Sequence, residues 1–270
     1  MLLRAGAAAL LTDVVTIARN AGDAILRIER DGAGDVRRKH DESMLTQADL
    51  VAESLIARAL AARDPQTPII SEEGRCDAHG GAPSRFWLVD PLDGTREFIA
   101  GNGEYTVNIA LVEDGEAVLG VVHAPALETT YAAARGLGAQ RIAAGTSQPI
   151  RARAGGELVV VASRSHPGPL LDRFLAALPP HRTVAMGSAL KLCAVADGTA
   201  LLYPRLGPTC WWDTAAAHAV VAESGATVVA LDNAPLRYAG SDVRNPPFVC
   251  SALPRSTWER AAEAVGAELR

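Results

Sequence analysis

Apolar residues recur at helical spacing near the start of the chain. From about Thr12 to Arg30, Val15, Ala18, Ile25 and Ile28 fall close to a 3.6-residue period, which predicts a helix with one buried stripe. Asp31-Gly32-Ala33-Gly34 supplies a glycine-rich stop. A second helix is expected from about Gln47 to Arg63, carrying Leu50, Val51, Leu55, Ile56 and Leu60. Pro65 and Pro68 then break the chain before a short strand at Ile69-Ile70. Beyond this point the period shortens. Phe86-Trp87-Leu88-Val89 is a continuous apolar run of strand length, and Thr106 to Val112 and Ala117 to Val122 predict two strands joined at Glu113-Asp114-Gly115. Tyr131-Ala132-Ala133-Ala134, before Arg135-Gly136, reads as a further strand. The first half is therefore expected to be two helices followed by a largely antiparallel sheet.

The second half alternates. Leu158 to Ala162 reads as a strand, Pro169 to Leu178 as a helix, and Val184-Ala185 leads through Gly187-Ser188 into a helix from about Ala189 to Ala196. Ala200 to Tyr203 is a strand candidate, Thr214 to Ser224 an alanine-rich helix, and Thr227 to Ala230 a strand. That order points to an α/β half. No internal repeat or low-complexity tract interrupts the chain, and a soft boundary near Thr146 to Gly156 divides it into segments 1–150 and 151–270.

Composition narrows the class. The chain has 270 residues, 49% hydrophobic and 21% charged, a globular balance long enough for one large layered unit or two smaller ones. Its 26 basic and 31 acidic side chains leave a formal net charge of −5. With no long Lys/Arg run and only 4% aromatic residues, a nucleic-acid polymer or an anionic membrane is excluded as partner. Cys76, Cys193, Cys210 and Cys250 form no CxxC pair, which rules out a zinc ribbon or redox dithiol and predicts buried thiols. Met1 to Leu11 is apolar with Arg4 near its start, but it runs into the helical pattern without a small-residue cleavage site. No apolar run reaches the roughly 20 residues of a membrane helix. A cytoplasmic protein without a membrane span is expected.

The strongest chemical signal is Asp90-Pro91-Leu92-Asp93-Gly94-Thr95, directly after the Phe86 to Val89 run. Pro91 biases Asp90 away from the helical region, which places Asp90 at a strand end. Asp93-Gly94-Thr95 then turns the chain into a helical turn at Arg96-Glu97-Phe98. Two carboxylates are thereby brought together, and the N–H groups of Gly94 and Thr95 are aimed at one point. Such oxygen ligands suit Mg²⁺ with phosphate as its other partner, and amides at a helix start bind anions. Turn chemistry alone would account for an isolated Asp-Gly pair but not for the whole string. Two further acidic spots match it: Ser71-Glu72-Glu73-Gly74 after Ile69-Ile70, and Trp211-Trp212-Asp213-Thr214 before the alanine-rich helix. Singly, the first is a solvated turn and the second a helix N-cap; the three together point to one acidic site. Other motifs fail. Gly101-Asn102-Gly103 lacks the third glycine of a dinucleotide loop, the six histidines have no zinc spacing, and no nucleophile elbow is present. Trp211 and Trp212 read as core and wall.

These strings together resemble the inositol monophosphatase superfamily of Mg²⁺-dependent, Li⁺-sensitive phosphatases, over a span from about Lys39 to Phe248. Lys39-His40-Asp41-Glu42-Ser43 with Thr46-Gln47-Ala48-Asp49, Asn102-Gly103-Glu104-Tyr105-Thr106-Val107-Asn108-Ile109-Ala110, Ser163-Arg164-Ser165-His166, and Leu202-Tyr203-Pro204-Arg205 with Gly207-Pro208-Thr209 are most similar to the CysQ-type 3′(2′),5′-bisphosphate nucleotidases. Those enzymes of sulfur metabolism hydrolyse adenosine 3′,5′-bisphosphate to AMP and phosphate. The resemblance implies a layered αβαβα sandwich with the metal site between two subdomains. Segment 1–150 would carry most metal ligands, and segment 151–270 would carry Asp213 and the nucleotide contacts.

Residue by residue, the resemblance implies that Glu72, Asp90 and the carbonyl of Leu92 hold one Mg²⁺. Asp90, Asp93 and Asp213 would hold a second, with Asp90 bridging; whether two or three ions act in turnover stays open. Thr95, assisted by Asp49 or Glu72, would orient and deprotonate the attacking water. Leu92, Asp93, Gly94, Thr95 and Asp213 would border the phosphate being removed, the N–H groups of Gly94 and Thr95 cradling it. Lys191 and Arg205, with Gly187, Ser188 and His166, would contact the nucleotide and its second phosphate. The chain departs from the family pattern at Met44, where Pro is usual, at Ala217, where Gly is usual, and in Asn245-Pro246-Pro247-Phe248, where the third residue is usually Gly. Two other readings stand beside a bisphosphate nucleotidase: an inositol monophosphatase or broad-specificity sugar phosphatase, and a binding protein that kept the fold but lost catalysis. The intact set Glu72, Asp90, Asp93, Thr95 and Asp213 speaks against the last. The expected partner is a small phosphate ester, and a homodimer is compatible with the sequence.

Overall fold

In the computed structural model, which describes residues 2–32, 37–38, 44–74, 81–165, 168–266 and 268, the first apolar stripe becomes helix α1 (Leu2–Arg30). It is longer than the pattern predicts because the alanine-rich segment before Thr12 continues the same helix. Its buried face carries Val14, Ala18, Ala21 and Ile25. Two short strands, β1 (Arg37–Arg38) and β2 (Met44–Leu45), pair antiparallel. Helix α2 (Gln47–Arg63) has the expected bounds. A reciprocal cap sets its start: Ala48 N donates to Thr46 Oγ1 at 3.1 Å, and Thr46 N donates to Asp49 Oδ2 at 2.7 Å. Its face differs from the expected one. Ala48, Ala52, Ile56 and Leu60 are buried while Leu50 is exposed, because the small alanines let α2 lie close against its neighbours.

The chain then builds one seven-stranded sheet from β3 (Ile69–Ser71), β4 (Arg85–Asp93), β5 (Thr106–Glu113), β6 (Glu116–Ala124), β7 (Thr129–Ala134), β8 (Gly138–Ala143) and β9 (Thr146–Ile150), with helix α3 (Thr95–Ile99) between β4 and β5. Strands β3 and β4 are parallel, and every later pair is antiparallel. The β5–β6 hairpin turns on Asp114 and Gly115, both at positive φ (49° and 76°), as a two-residue turn between right-twisted strands requires. The apolar pattern does not predict strands β8 and β9. They form the sheet margin, where Thr146, Ser147, Gln148 and Pro149 are exposed and leave no apolar alternation to read. Trp87, Val89, Ile109 and Val121 pack toward α1 and α2, whereas Phe86, Leu88, Ala110 and Val122 face the other way.

A second, five-stranded sheet holds β10 (Val159–Ser163), β11 (Arg182–Met186), β12 (Leu202–Arg205), β13 (Thr227–Ala230) and β14 (Phe248–Ser251) in the order β11-β10-β12-β14-β13. Helices α4 (Pro169–Ala176), α5 (Leu190–Ala196), α6 (Ala215–Ser224) and α7 (Glu259–Gly266) accompany it. Strand β10 is parallel to both neighbours, while β14 runs antiparallel to β12 and β13. Helices α5 and α6 lie between the two sheets, and α4 and α7 cover the far face through Phe174 and Trp258 against Val160, Leu202 and Val249. The result is the expected αβαβα sandwich. Its middle layer is tightly packed: a Cβ at Gly120 on β6 would stand 2.0 Å from Ala216 O and 2.9 Å from Ala219 Cβ. This close approach explains the alanines of α6, and Ala217 is fully buried in that layer.

Candidate active site

The six-residue string is not a strand end followed by a turn. Strand β4 runs through it to Asp93, and its pairing with β5 slips between Asp90, opposite Asn108, and Asp93, opposite Thr106. This bulge gives Pro91, which has no N–H, a place inside a sheet. Leu92 N donates to Asp90 Oδ1 at 3.1 Å. Gly94 then adopts φ +92° ahead of α3; a Cβ there would meet Glu104 O at 3.2 Å and Glu97 Oε2 at 3.3 Å. The Thr95 hydroxyl donates to Leu92 O at 3.4 Å. Glu72 follows β3, and its N–H donates to Val89 O at 3.2 Å, so parallel strand pairing brings it beside Asp90.

Asp213 arrives from the other half. It ends a 3₁₀ turn, Trp211–Asp213, and its Oδ2 accepts from Cys210 N at 2.8 Å. It does not cap α6, which starts at Ala215 after Thr214. Glu72, Asp90 and Asp213 each offer a carboxylate oxygen within 4.8 Å of the others. Asp93 borders this set but turns Oδ2 to the Ala189 amide at 2.6 Å, with Asn108 Nδ2 at 3.4 Å. Asp49 stands behind it, buried, accepting from both the N–H and the hydroxyl of Thr46. Among the described residues no hydrogen bond joins Asp49 to Thr95.

The electrostatics follow from this crowding. Burial pushes the Asp90 carboxyl well above its ordinary range, and the charges of Glu72, Asp93, Asp213 and Asp49 push it further. Asp213 is raised to about 8 by burial and then by Asp93. Asp93 is raised by burial, against the opposing charge of Lys191. Asp49 is raised chiefly by burial. Carboxylates massed in this way are stable as anions only with compensating positive charge, and their oxygens are the ligands that hard divalent cations select. The donor set therefore fits a hard divalent cation.

A cavity of about 720 Å³ opens over these groups. Glu72, Asp90, Leu92, Asp93, Gly94 and Thr95 form one wall, and Ser188, Lys191, Arg205 and Asp213 form the other. Lys191 is buried rather than a surface lysine: its Nζ donates to Ser188 O at 2.6 Å and lies 5.6 Å from the Tyr203 ring centre. Burial lowers its pKa to about 8. Arg205 Nη2 donates to Pro208 O at 2.7 Å, while its buried Nε has no hydrogen-bond partner. Gly187 and Asp49 do not line the cavity. Gly187 N donates to Glu104 Oε2 at 2.7 Å, and a Cβ on it would meet Glu97 Cγ at 2.7 Å. His166, Cys76 and the Lys39-His40-Asp41-Glu42-Ser43 string lie outside the described residues.

Sequence reasoning missed part of this wall. Arg96, Cys210 and Arg244 line it, and Cys210 is half-buried there, unlike the fully buried Cys193 and Cys250. The reason is local: Arg244 is brought in by the antiparallel bridge between residues 210 and 244, a pairing with no signature in either segment. Met44 lines the cavity, whereas Ala217 does not, so the two departures from the family pattern bear differently on substrate.

Three comparisons with known proteins agree. A family model described as the inositol monophosphatase family matches residues 8–269. The 3′(2′),5′-bisphosphate nucleotidase CysQ of Escherichia coli is 46% identical over 246 residues, which cover 88% of this chain and 98% of the relative. The crystal structure of CysQ from Bacteroides thetaiotaomicron superposes with a TM-score of 0.80 at 36% identity, over 90% of this chain and 97% of that one. An IMPase structure from Thermotoga maritima gives the same TM-score at 25% identity, over 95% and 98%.

Proposed function

The chain belongs to the inositol monophosphatase family, and from that membership we infer that it is a 3′(2′),5′-bisphosphate nucleotidase, hydrolysing the 3′-phosphate of adenosine 3′,5′-bisphosphate to AMP and phosphate. The observation that carries this reading is near-full-length identity of 46% to a nucleotidase of that name, in a chain whose cavity has an acidic wall facing a basic one. Glu72, Asp90, the Leu92 carbonyl, Asp93 and Asp213 are the residues that would hold two Mg²⁺ ions. When bound, Mg²⁺ supplies Lewis acidity toward water and the phosphate oxygens.

The chain's own residues do the rest. The N–H groups of Gly94 and Thr95 contact the phosphate to be removed, at a turn that only a positive-φ residue lets approach so closely. The Thr95 hydroxyl orients the attacking water, and Glu72 or Asp49 takes its proton; the raised pKa of Asp49 suits a proton acceptor. Lys191 and Arg205 receive the second phosphate, with Ser188 at the cavity wall and Gly187 packed behind it. Arg205 Nε, buried without a partner, is a donor in want of an acceptor there. We assign segment 1–150 and segment 151–270 as the two subdomains, with the cleft between them. Inhibition by Li⁺, a cytoplasmic location and a place in sulfur metabolism belong to the same reading. No helix among the described residues is long and apolar enough to cross a membrane.

The test is a comparison of kcat/KM with Mg²⁺ on adenosine 3′,5′-bisphosphate, its sulfated analogue, inositol 1-phosphate and fructose 1,6-bisphosphate. The nucleoside bisphosphates should be preferred by about tenfold or more, the scale of one satisfied charge contact. Preference for inositol 1-phosphate would move the chain to the inositol monophosphatases.

A further inference from the structure

Of the three carboxylates that converge, Asp213 is contributed by the second half of the chain, and its distance from Glu72 and Asp90 depends on how the two halves meet. A buried hydrogen-bond chain runs through that junction. Thr214 Oγ1 donates to Trp211 O at 3.2 Å, an acceptor-only group, so the hydroxyl hydrogen of Thr214 is spent there. Thr214 Oγ1 in turn accepts from Tyr238 Oη at 3.2 Å and from Asn245 Nδ2 at 3.1 Å. The single Tyr238 proton is then committed to Thr214. His218 Nδ1, 2.9 Å from Tyr238 Oη, must therefore be the protonated ring nitrogen and the donor. Every group has one consistent direction: His218 to Tyr238, Tyr238 to Thr214, Thr214 to Trp211. Burial lowers the His218 pKa to about 4, in keeping with a neutral ring.

This chain is anchored at two points. Asn245 Nδ2 also donates to Cys210 O at 2.6 Å, which holds the 3₁₀ turn from its other side. Tyr238 N donates to Gly115 O at 3.0 Å, on the β5–β6 hairpin of the first sheet. The Tyr238 ring stands edge-on to Trp211, with ring centres 6.3 Å apart at 82°. A single tyrosine thus touches the hairpin of the first sheet with its backbone and the Asp213 turn of the second half with its side chain. We propose that His218, Tyr238, Thr214 and Asn245 are positioning residues that set where Asp213 stands relative to Glu72 and Asp90, and so set the affinity of the cleft for divalent cations. This inference rests on Asp213 being a metal ligand.

Groups that hydrogen-bond a metal ligand directly govern its affinity by one to two orders of magnitude, so residues that act one bond further out belong at the lower end of that range. The test uses the full chain and binding of Mn²⁺, followed by calorimetry and by electron paramagnetic resonance without substrate. Tyr238→Phe should raise the Mn²⁺ dissociation constant, and the Mg²⁺ concentration for half-maximal rate, by about tenfold. KM for the nucleoside bisphosphate at saturating Mg²⁺ should stay within about twofold. His218→Asn, which keeps a donor near the Nδ1 position, should recover most of the affinity that His218→Ala loses. Tyr131→Phe is the control: it too removes a buried hydroxyl of the middle layer, hydrogen-bonded to Asp197 at 2.9 Å, but has no link to Asp213. It should lower thermal stability about as much as Tyr238→Phe and leave Mn²⁺ binding unchanged. Unchanged Mn²⁺ binding in Tyr238→Phe, or an equal loss in Tyr131→Phe, would overturn the proposal. Asp213→Asn separates the two levels. If it leaves Mn²⁺ binding intact, the ligand assignment itself fails; if it abolishes binding while Tyr238→Phe does not alter it, only the positioning role fails.

Discussion

The two walls of the cleft are built by different means. On the first, Glu72 and Asp90 are placed by backbone: parallel pairing of β3 with β4, a bulge at Asp90–Asp93, and a positive-φ glycine. On the second, the Asp213 carboxylate accepts from the Cys210 amide, and the turn that carries it is held by the side chains of Thr214, Asn245 and Tyr238. Strand register changes only in whole residues, so the first wall is all-or-none. A network of side-chain hydrogen bonds gives way by degrees, one bond at a time. The difference teaches where the protein is adjustable: in the wall that carries Asp213, Lys191 and Arg205, not in the wall that carries the string.

The largest effect should come from the carboxylates, on either wall. Asp90→Asn and Asp213→Asn should each reduce phosphate release by about a thousandfold or more, as expected when a transition-state stabilising group is lost. In metal-free protein both should melt at or above the parent temperature, because a like charge has been removed from a crowded site. Full activity in either would break the two-wall account at its root. Lys191→Ala tests the second wall alone. Its KM should rise by about tenfold for adenosine 3′,5′-bisphosphate and far less for inositol 1-phosphate, since one buried charge contact to a phosphate is worth about 1.5–3 kcal/mol. Equal shifts would remove Lys191 from the second-phosphate site.

Acid should weaken both walls through one buried histidine each. His218 lies in the second wall's support and His123 on β6 of the first sheet, where it meets Thr130 at 3.0 Å. Burial lowers each to about 4 from an ordinary 6.5. The unfolded chain takes up these protons first, so the stability is present above pH 6.5 and is lost as pH falls toward 4, by about 3 kcal/mol per ring. The metal-site carboxylates act in the opposite sense, since their folded pKa values are raised. Urea unfolding of metal-free protein at pH 7 and pH 4 should therefore show His218→Asn losing about 3 kcal/mol less than the parent; equal losses would mean the ring is not buried neutral. The smallest effect belongs to the first wall's entrance. Thr46→Ala removes the side-chain cap of α2 and the hydroxyl hydrogen bond to Asp49 while keeping the backbone one, and should cost about 1 kcal/mol in thermal or urea unfolding.

Much of the first half could be read without coordinates. The bounds of α2 follow from its cap, and the β5–β6 hairpin from an Asp-Gly pair between apolar runs. The second half was harder. Strand β14 is not legible in the sequence, nor is the helix α7 that covers the outer face, because a short run such as Phe248–Ser251 has no period to read. The edge strand β9 is almost wholly exposed and polar, and its neighbour β8 is only half-buried, so neither carries an apolar alternation. The exposed Leu50 shows the converse: on α2 the buried face is set by Ala48 and Ala52 and not by every large apolar residue of the helix.

The chemistry at the acidic wall was legible because its residues are consecutive. Asp90 to Thr95 state their own geometry through Pro91 and Gly94, and the reading failed only in ending the strand at Asp90 rather than carrying it through a bulge to Asp93. What the sequence determined by itself was which residue types meet and roughly where each element begins: period, turn chemistry and local motif are all short-range. What only the tertiary structure decided was how distant segments come together: Glu72 beside Asp90, Asp213 across from both, Lys191 buried instead of exposed, and Tyr238 reaching from the Gly115 hairpin to Thr214. Those placements arise from strand pairing and from burial in the middle layer, which join residues distant along the chain, Asp213 and Asp90 among them at more than a hundred positions apart, and leave no trace in local spacing.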